Sequence, residues 1–222
     1  MSPQKLLGRE LNQVETKNSP NNLYISGVLQ VPLKTPRCAI VGTREPSQEG
    51  RETARSFSGF LARNGIIVIS GLAKGIDSEA HKGAIEASGH TIAVLGTPLN
   101  KFYPKENTEL QKEIMERHLA VSQFKTDRPV RPENFILRNR TMALLCDASV
   151  IIEAGDSSGT LSQGWEALRL GRPLFIFDSV FKRKDLEWPD KMIKYGAIKL
   201  DDFSSILDCL LYNDSNSELL EL

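Results

Sequence analysis

Short, unbroken apolar runs that alternate with helical patterns constrain this fold more than any other feature of the sequence. The runs fall at residues 38–41, 66–69, 91–95, 119–121, 149–153 and 174–177 and are rich in valine and isoleucine. A strand with one wet face alternates apolar and polar residues. A short continuous run instead marks a strand covered on both faces by crossover helices.

The segments between the runs carry the helical period. Residues 50–63 set Ala54, Phe57, Phe60 and Leu61 on one face, with Gly65 as the stop. Residues 77–88 carry Ala80, Ala84, Ile85 and Ala87 ahead of Gly89, and 162–170 run into Gly171-Arg172-Pro173. Helices are also expected at 108–117 and 139–146. Glycine just past a helical pattern is a C-cap signal. Strand–helix alternation of this kind predicts a doubly wound, mostly parallel α/β sheet with helices on both faces.

Three units follow from this pattern. Residues 1–22 are polar and aperiodic and read as a flexible or loosely docked arm. Residues 23–180 form the main domain, opened by a short edge strand at 23–27. Residues 181–222 form an extension with a basic loop, a strand-like 197–200 and a terminal helix at 202–211 packed on the core. At 222 residues, one domain with short extensions fits, because single cores rarely grow far past about 250 residues.

Bulk properties exclude several classes. The 28 basic and 28 acidic residues cancel, so nucleic-acid binding requires a local basic patch, not a global field. No apolar run approaches the roughly 20 residues of a spanning helix, and the polar N-terminus has no signal core. A cytoplasmic protein without membrane contact is expected. Cys38, Cys146 and Cys209 contain no C-x-x-C pair, which argues for isolated thiols in a reducing compartment, with neither a metal site nor a disulfide framework.

In an open parallel sheet, ligands bind outside the carboxyl ends of the strands. The first core strand ends in Gly42-Thr43-Arg44-Glu45-Pro46-Ser47. Gly42 allows close backbone approach, Thr43 and Ser47 offer hydroxyls, and the Arg44 fork suits a phosphate, or else pairs with a surface carboxylate. After the second strand, Gly71 and Gly75 bracket Lys74 before a helix whose N-cap is read as Asp77. His81, one turn on, is read as a packed or surface residue, not a base. After the fifth strand, Gly155, Ser158, Gly159 and Thr160 lead straight into a helix, a third anion-binding loop. No loop matches G-x-x-x-x-G-K-[ST] or G-x-G-x-x-G.

Arg138-Asn139-Arg140, read as the start of a helix and preceded by Phe135, combines cations, an amide and an aromatic. That mixture suits a single-stranded backbone with a stacked base. Two cations at a helix N-terminus also argue for a nearby anion, because the dipole disfavours them there.

Together these stretches resemble the DNA-processing protein A (DprA/Smf) family. The resemblance rests on residues 39–47, 70–81 and 91–96, Tyr103-Pro104, Phe135 with Arg138-Asn139-Arg140, Ser158-Gly159-Thr160 and Gly171-Arg172-Pro173. It runs from about Leu23 to Phe177. It implies an extended Rossmann-like core that binds single-stranded DNA as a homodimer and helps load the RecA recombinase during natural transformation. By carry-over, Gly42-Thr43-Arg44, Lys74 and Arg138-Asn139-Arg140 touch the DNA backbone. The sequence departs from the family at Thr43, where serine is usual, and after residue 177, where Asp178-Ser179-Val180 replaces a Val-Pro-Gly turn. The N-terminal helical and C-terminal winged-helix domains of longer members are not expected here.

Two other readings compete. The loops could instead bind a small phosphorylated nucleotide as a sensor. The Ser158-Gly159-Thr160 loop also resembles that of LONELY GUY-type phosphoribohydrolases, but Gln163 stands where those enzymes carry an acid, and an amide cannot take up a proton as a carboxylate can. A non-catalytic protein with no cofactor and no metal is therefore expected.

Overall fold

The computed structural model describes residues 1–34, 36–156 and 158–211. In chain order the elements are α1 (Pro3–Leu7), α2 (Gln13–Lys17), β1 (Tyr24–Gly27), β2 (Arg37–Val41), α3 (Gln48–Arg63), β3 (Ile67–Ser70), α4 (Ile76–Glu86), β4 (Thr91–Leu95), α5 (Thr108–Arg117) and β5 (Leu119–Ser122). They continue as α6 (Pro132–Leu145), β6 (Ala148–Ile151), α7 (Thr160–Arg169), β7 (Leu174–Phe177), α8 (Asp178–Phe181), α9 (Trp188–Lys194), β8 (Ile198–Leu200) and α10 (Ser205–Leu211). The strands form one eight-stranded sheet in the order β1-β5-β4-β3-β2-β6-β7-β8. All neighbours are parallel except the edge strand β1, which runs antiparallel to β5.

The expected architecture is what forms, for the expected reason. All five residues of β2 are buried, and alternate ones feed opposite layers. Cys38 and Ile40 join Phe57 and Leu61 of α3, Ala80 and Ala84 of α4 and Ile206 of α10. Ala39 and Val41 join Met142 and Leu145 of α6 and Met192 of α9. Phe57 anchors the first layer, with its ring edge-on to Phe177 at 5.6 Å and to Phe203 at 5.0 Å.

Four readings of the sequence need correction. The arm of residues 1–22 contains α1 and α2 and is docked: Leu6 is fully buried and Leu7 nearly so. These helices are five residues each, too short to show a period. The helix expected at 139–146 starts at Pro132, a first-turn proline, so Arg138-Asn139-Arg140 lies in its middle. Neither cation stands at the N-terminus of α6, and the dipole there calls for no anion to offset them. Helix α4 is preceded by Gly75, not capped by Asp77, and ends at Glu86 with Ala87 as C-cap; the left-handed Ser88 (φ 58°) follows, and Gly89 makes room for α3. Finally, the extension holds α8 and α9, which the sequence did not announce. Its residues 212–222 lie outside the described ones.

Candidate nucleic-acid interface

Strand β2 pairs with β3 on one side and β6 on the other. From β2 the chain leaves into α3 on one face, and from β6 into α7 on the other. The two connections diverge at the carboxyl ends and leave a crevice at the topological switch point. Here it is a cleft of about 470 Å³, walled by the loops after β2 and β6, by Ala73 and Asp77, and by one side of α6.

Close backbone packing builds the first wall. A Cβ on Gly42 would fall 2.4 Å from the Ile76 side chain and 2.9 Å from the Glu153 carbonyl. The Thr43 amide donates to that same carbonyl at 2.7 Å, and the Thr160 hydroxyl donates to the Gly42 carbonyl at 2.8 Å. Gly75 (φ 79°) passes so close that a Cβ would stand 2.5 Å from the Thr43 carbonyl. The segment 42–44 is thus wedged between α4 and the loop before α7. Ser47 sits outside the wall: its hydroxyl accepts from the Gly50 amide at 3.0 Å and donates to Glu153 at 2.8 Å. It caps α3.

Arg44 stands exposed on the rim with no carboxylate partner among the described residues. Its guanidinium carbon lies 5.9 Å from the centre of the Phe135 ring, a cation–π distance. Phe135 in turn lies 5.5 Å from the ring of Tyr103, tilted by 47°. Gly96 permits this, since a Cβ there would reach within 2.5 Å of the Phe135 ring. These aromatics, with Leu72 and Leu95, line a narrower apolar slot that adjoins the cleft across Arg44 and Arg138. Tyr103 belongs to the Tyr103-Pro104 stretch of the family pattern, but its place against Phe135 arises only in three dimensions.

Arg138 is a buried wall residue, 6% exposed. Its Nη1 donates to the Val94 carbonyl at 3.1 Å, and its Nε is buried without an acceptor. Burial lowers its pKa, Asp77 raises it, and Arg44 lowers it further. Burial pushes the Asp77 carboxyl up, against the pull of Arg138 and of two backbone amides. Gly71 is needed for Arg138: a Cβ there would lie 1.5 Å from Nη1.

Other expected contacts are placed differently. Lys74 lines the slot, ion-paired with Glu106. The Asn139 amide donates to the Gly159 carbonyl at 3.1 Å and to the Ser162 hydroxyl at 2.6 Å, tying α6 to the loop before α7. Arg140 is half-buried and does not line the cleft. Gly155, Ser158, Gly159 and Thr160 do line it. However, the Thr160 amide is taken by the Ser158 hydroxyl, and the next two amides close turns onto Ser158 and Gly159. The helix dipole remains available there, while those donors are spent.

The residues at and just after the acid position of the phosphoribohydrolase pattern are engaged elsewhere. Gln163 is fully buried and donates to the Ser149 hydroxyl at 3.2 Å, and Glu166 is bound by Arg169 at 2.9 Å. His81 is buried with its Nδ1 2.7 Å from the Thr91 hydroxyl, and burial brings its pKa down to about 3. It is a neutral packing residue. Among the described residues no His/Cys/Asp/Glu group could hold a metal ion, and no helix is long and apolar enough to cross a membrane.

The fold and the position of the cleft define a Rossmann-like α/β domain with its binding crevice at the switch point of a parallel sheet. The sequence model of the family described as DNA recombination-mediator protein A matches residues 5–211, and the chain belongs to that family, DprA/Smf. It is 36% identical to Protein Smf of Escherichia coli, over 89% of this chain and 53% of that one. It is 38% identical to DNA processing protein DprA of Streptococcus pneumoniae, over 72% of this chain and 56% of the relative. The chain thus spans about half the length of these curated relatives.

The solved structure of the Streptococcus pneumoniae protein superposes with a TM-score of 0.78 at 31% identity, covering 90% of this chain and 72% of that one. DNA processing protein A from Helicobacter pylori, described for its single-stranded DNA binding mode, gives 0.78 at 25% identity, covering 92% and 94%. A molybdenum cofactor carrier protein from Chlamydomonas reinhardtii, at 0.54 and 18% identity, shares the fold alone.

Proposed function

We propose that this protein binds single-stranded DNA along the cleft at the carboxyl ends of β2, β3 and β6, and that it does so without cleaving its ligand. The observation that carries the reading is Arg44, an exposed guanidinium with no carboxylate partner among the described residues, resting on Phe135 beside an apolar slot. A free fork next to aromatic rings suits a chain of phosphates with unstacked bases. The Helicobacter pylori relative, named for single-stranded DNA binding, supports the same ligand. Gln163, an amide where the phosphoribohydrolase pattern has its acid, buried and donating to Ser149, supports a non-catalytic role. Homodimerisation, delivery of DNA to the RecA recombinase in natural transformation and a cytoplasmic setting belong to this proposal, with family membership as their support.

Fluorescence anisotropy with a labelled oligo-dT tests it. Binding is expected to weaken steeply with salt, as phosphate neutralisation demands, and nucleoside monophosphates are expected to survive incubation intact. Absence of binding at low salt would sink the DNA reading, and release of free base would restore the hydrolase.

A further inference from the structure

Asp77 lies in the first turn of α4, 5% exposed, yet it serves neither that helix nor an ion pair at contact distance. Its carboxylate reaches back and accepts from the Gly71 amide at 3.2 Å and the Ala73 amide at 3.3 Å. Those amides belong to the loop against which Arg138 lies, where a Cβ on Gly71 would stand 1.5 Å from the guanidinium. Arg138 is fastened on its far side to the Val94 carbonyl at the end of β4. Asp77 and Arg138 both face the cleft.

A carboxylate on the wall of a cleft that takes a polyanion is electrostatically out of place, because its charge repels phosphate. We infer that Asp77 is a positioning residue for this cleft: it fixes the Gly71–Ala73 backbone and so sets the Arg138 guanidinium on the wall. The ligand in this inference rests on the single-stranded DNA reading, whereas the loop it fixes is a property of the free protein.

Charge and positioning predict opposite signs. If Asp77 acted only through its charge, both Asp77→Ala and Asp77→Asn would tighten binding to a polyanion. As a positioning residue, Asp77→Ala loosens the loop and weakens binding. Asp77→Asn keeps an acceptor oxygen, though the hydrogen bonds lose their charge assistance, and so restores part of it.

The test combines oligo-dT anisotropy at fixed salt with amide hydrogen exchange read by NMR in the absence of DNA. For Asp77→Ala, exchange at Gly71 and Ala73 is expected to quicken at least about tenfold, with the β7 amides unchanged, and oligo-dT affinity to fall about tenfold. Asp77→Asn is expected to lie between that variant and wild type in both readouts. Should Asp77→Ala not fold, Asp77→Asn carries the test alone through the same two directions. Binding as tight as wild type or tighter, or unchanged exchange at Gly71 and Ala73, overturns the inference. If wild type itself ignores oligo-dT, the DNA reading falls, and the exchange measurement alone decides the role of Asp77.

Discussion

The two ends of the sheet use the same residue type in opposite ways. At the amino ends of the strands, arginines are locked by carboxylates. Glu15, buried in α2, receives Arg9 at 2.6 Å and Arg172 at 2.8 Å, and Asp147 holds the buried Arg37 at 2.9 Å. At the carboxyl ends, Arg44 has no such partner and Arg138 meets only a backbone carbonyl and the more distant Asp77. A paired arginine fastens the fold, here tying the N-terminal arm to the segment before β7. An unpaired one at a concave switch point is free to hold an external anion.

Breaking the amino-end network is expected to have the largest effect. Glu15→Gln leaves the mostly buried Arg172 with an uncharged amide and only the more distant Asp147 at 3.8 Å, and a cost of about 3 kcal/mol is expected for breaking a buried pair. Urea unfolding should report this, with oligo-dT affinity unchanged under conditions where the variant is folded. Gly71→Ala comes next. Its methyl would displace the Arg138 guanidinium, with an expected stability loss of about 2 kcal/mol from overpacking and weaker binding in the same preparation. Arg44→Ala should reverse the pattern, with an unchanged melting temperature and affinity down about tenfold, or about 1.4 kcal/mol.

A subtler separation comes from pH. The hydrogen bonds from Arg9 hold the Glu15 carboxyl below its usual range. Its stabilising contribution is therefore complete above the ordinary carboxylate value and is lost as pH falls through the depressed one. The gap in urea midpoint between wild type and Glu15→Gln should shrink from pH 7 toward pH 3. Arg140→Ala marks the small end: half-buried and off the cleft wall, it should change affinity by less than about twofold if only wall contacts count.

How much of this the sequence disclosed depended on whether the signal was local. Strands β2 through β7 are buried on both faces and therefore read as continuous apolar runs, so these strands were legible to within two residues at each end. The glycines after the strands pointed to the loops that line the cleft and its slot, yet their roles differ. Gly42 and Gly75 serve close packing of the wall, and Gly71 serves Arg138, which is far away in sequence. Arg138-Asn139-Arg140 read as one cluster, but a helix turns successive residues apart by about 100°. Only Arg138 and Asn139 reach the wall. Ser47 and Asn139 looked like ligand contacts because capping and bridging hydrogen bonds use the same side chains as phosphate binding. The docked arm gave no period because its helices are a single turn or so long, and its anchor is an ion-pair network that only the assembled fold creates.

The central claim is that charge at the carboxyl end, and not charge in general, recruits the strand. Anisotropy of one labelled oligo-dT against Arg44→Ala and Arg9→Ala, side by side at equal salt and at a temperature where both are folded, tests it directly. Each variant removes one positive charge, one from either end of the sheet. The account predicts about tenfold weaker binding for Arg44→Ala and wild-type binding for Arg9→Ala. Equal weakening in both, or none in Arg44→Ala, would contradict it.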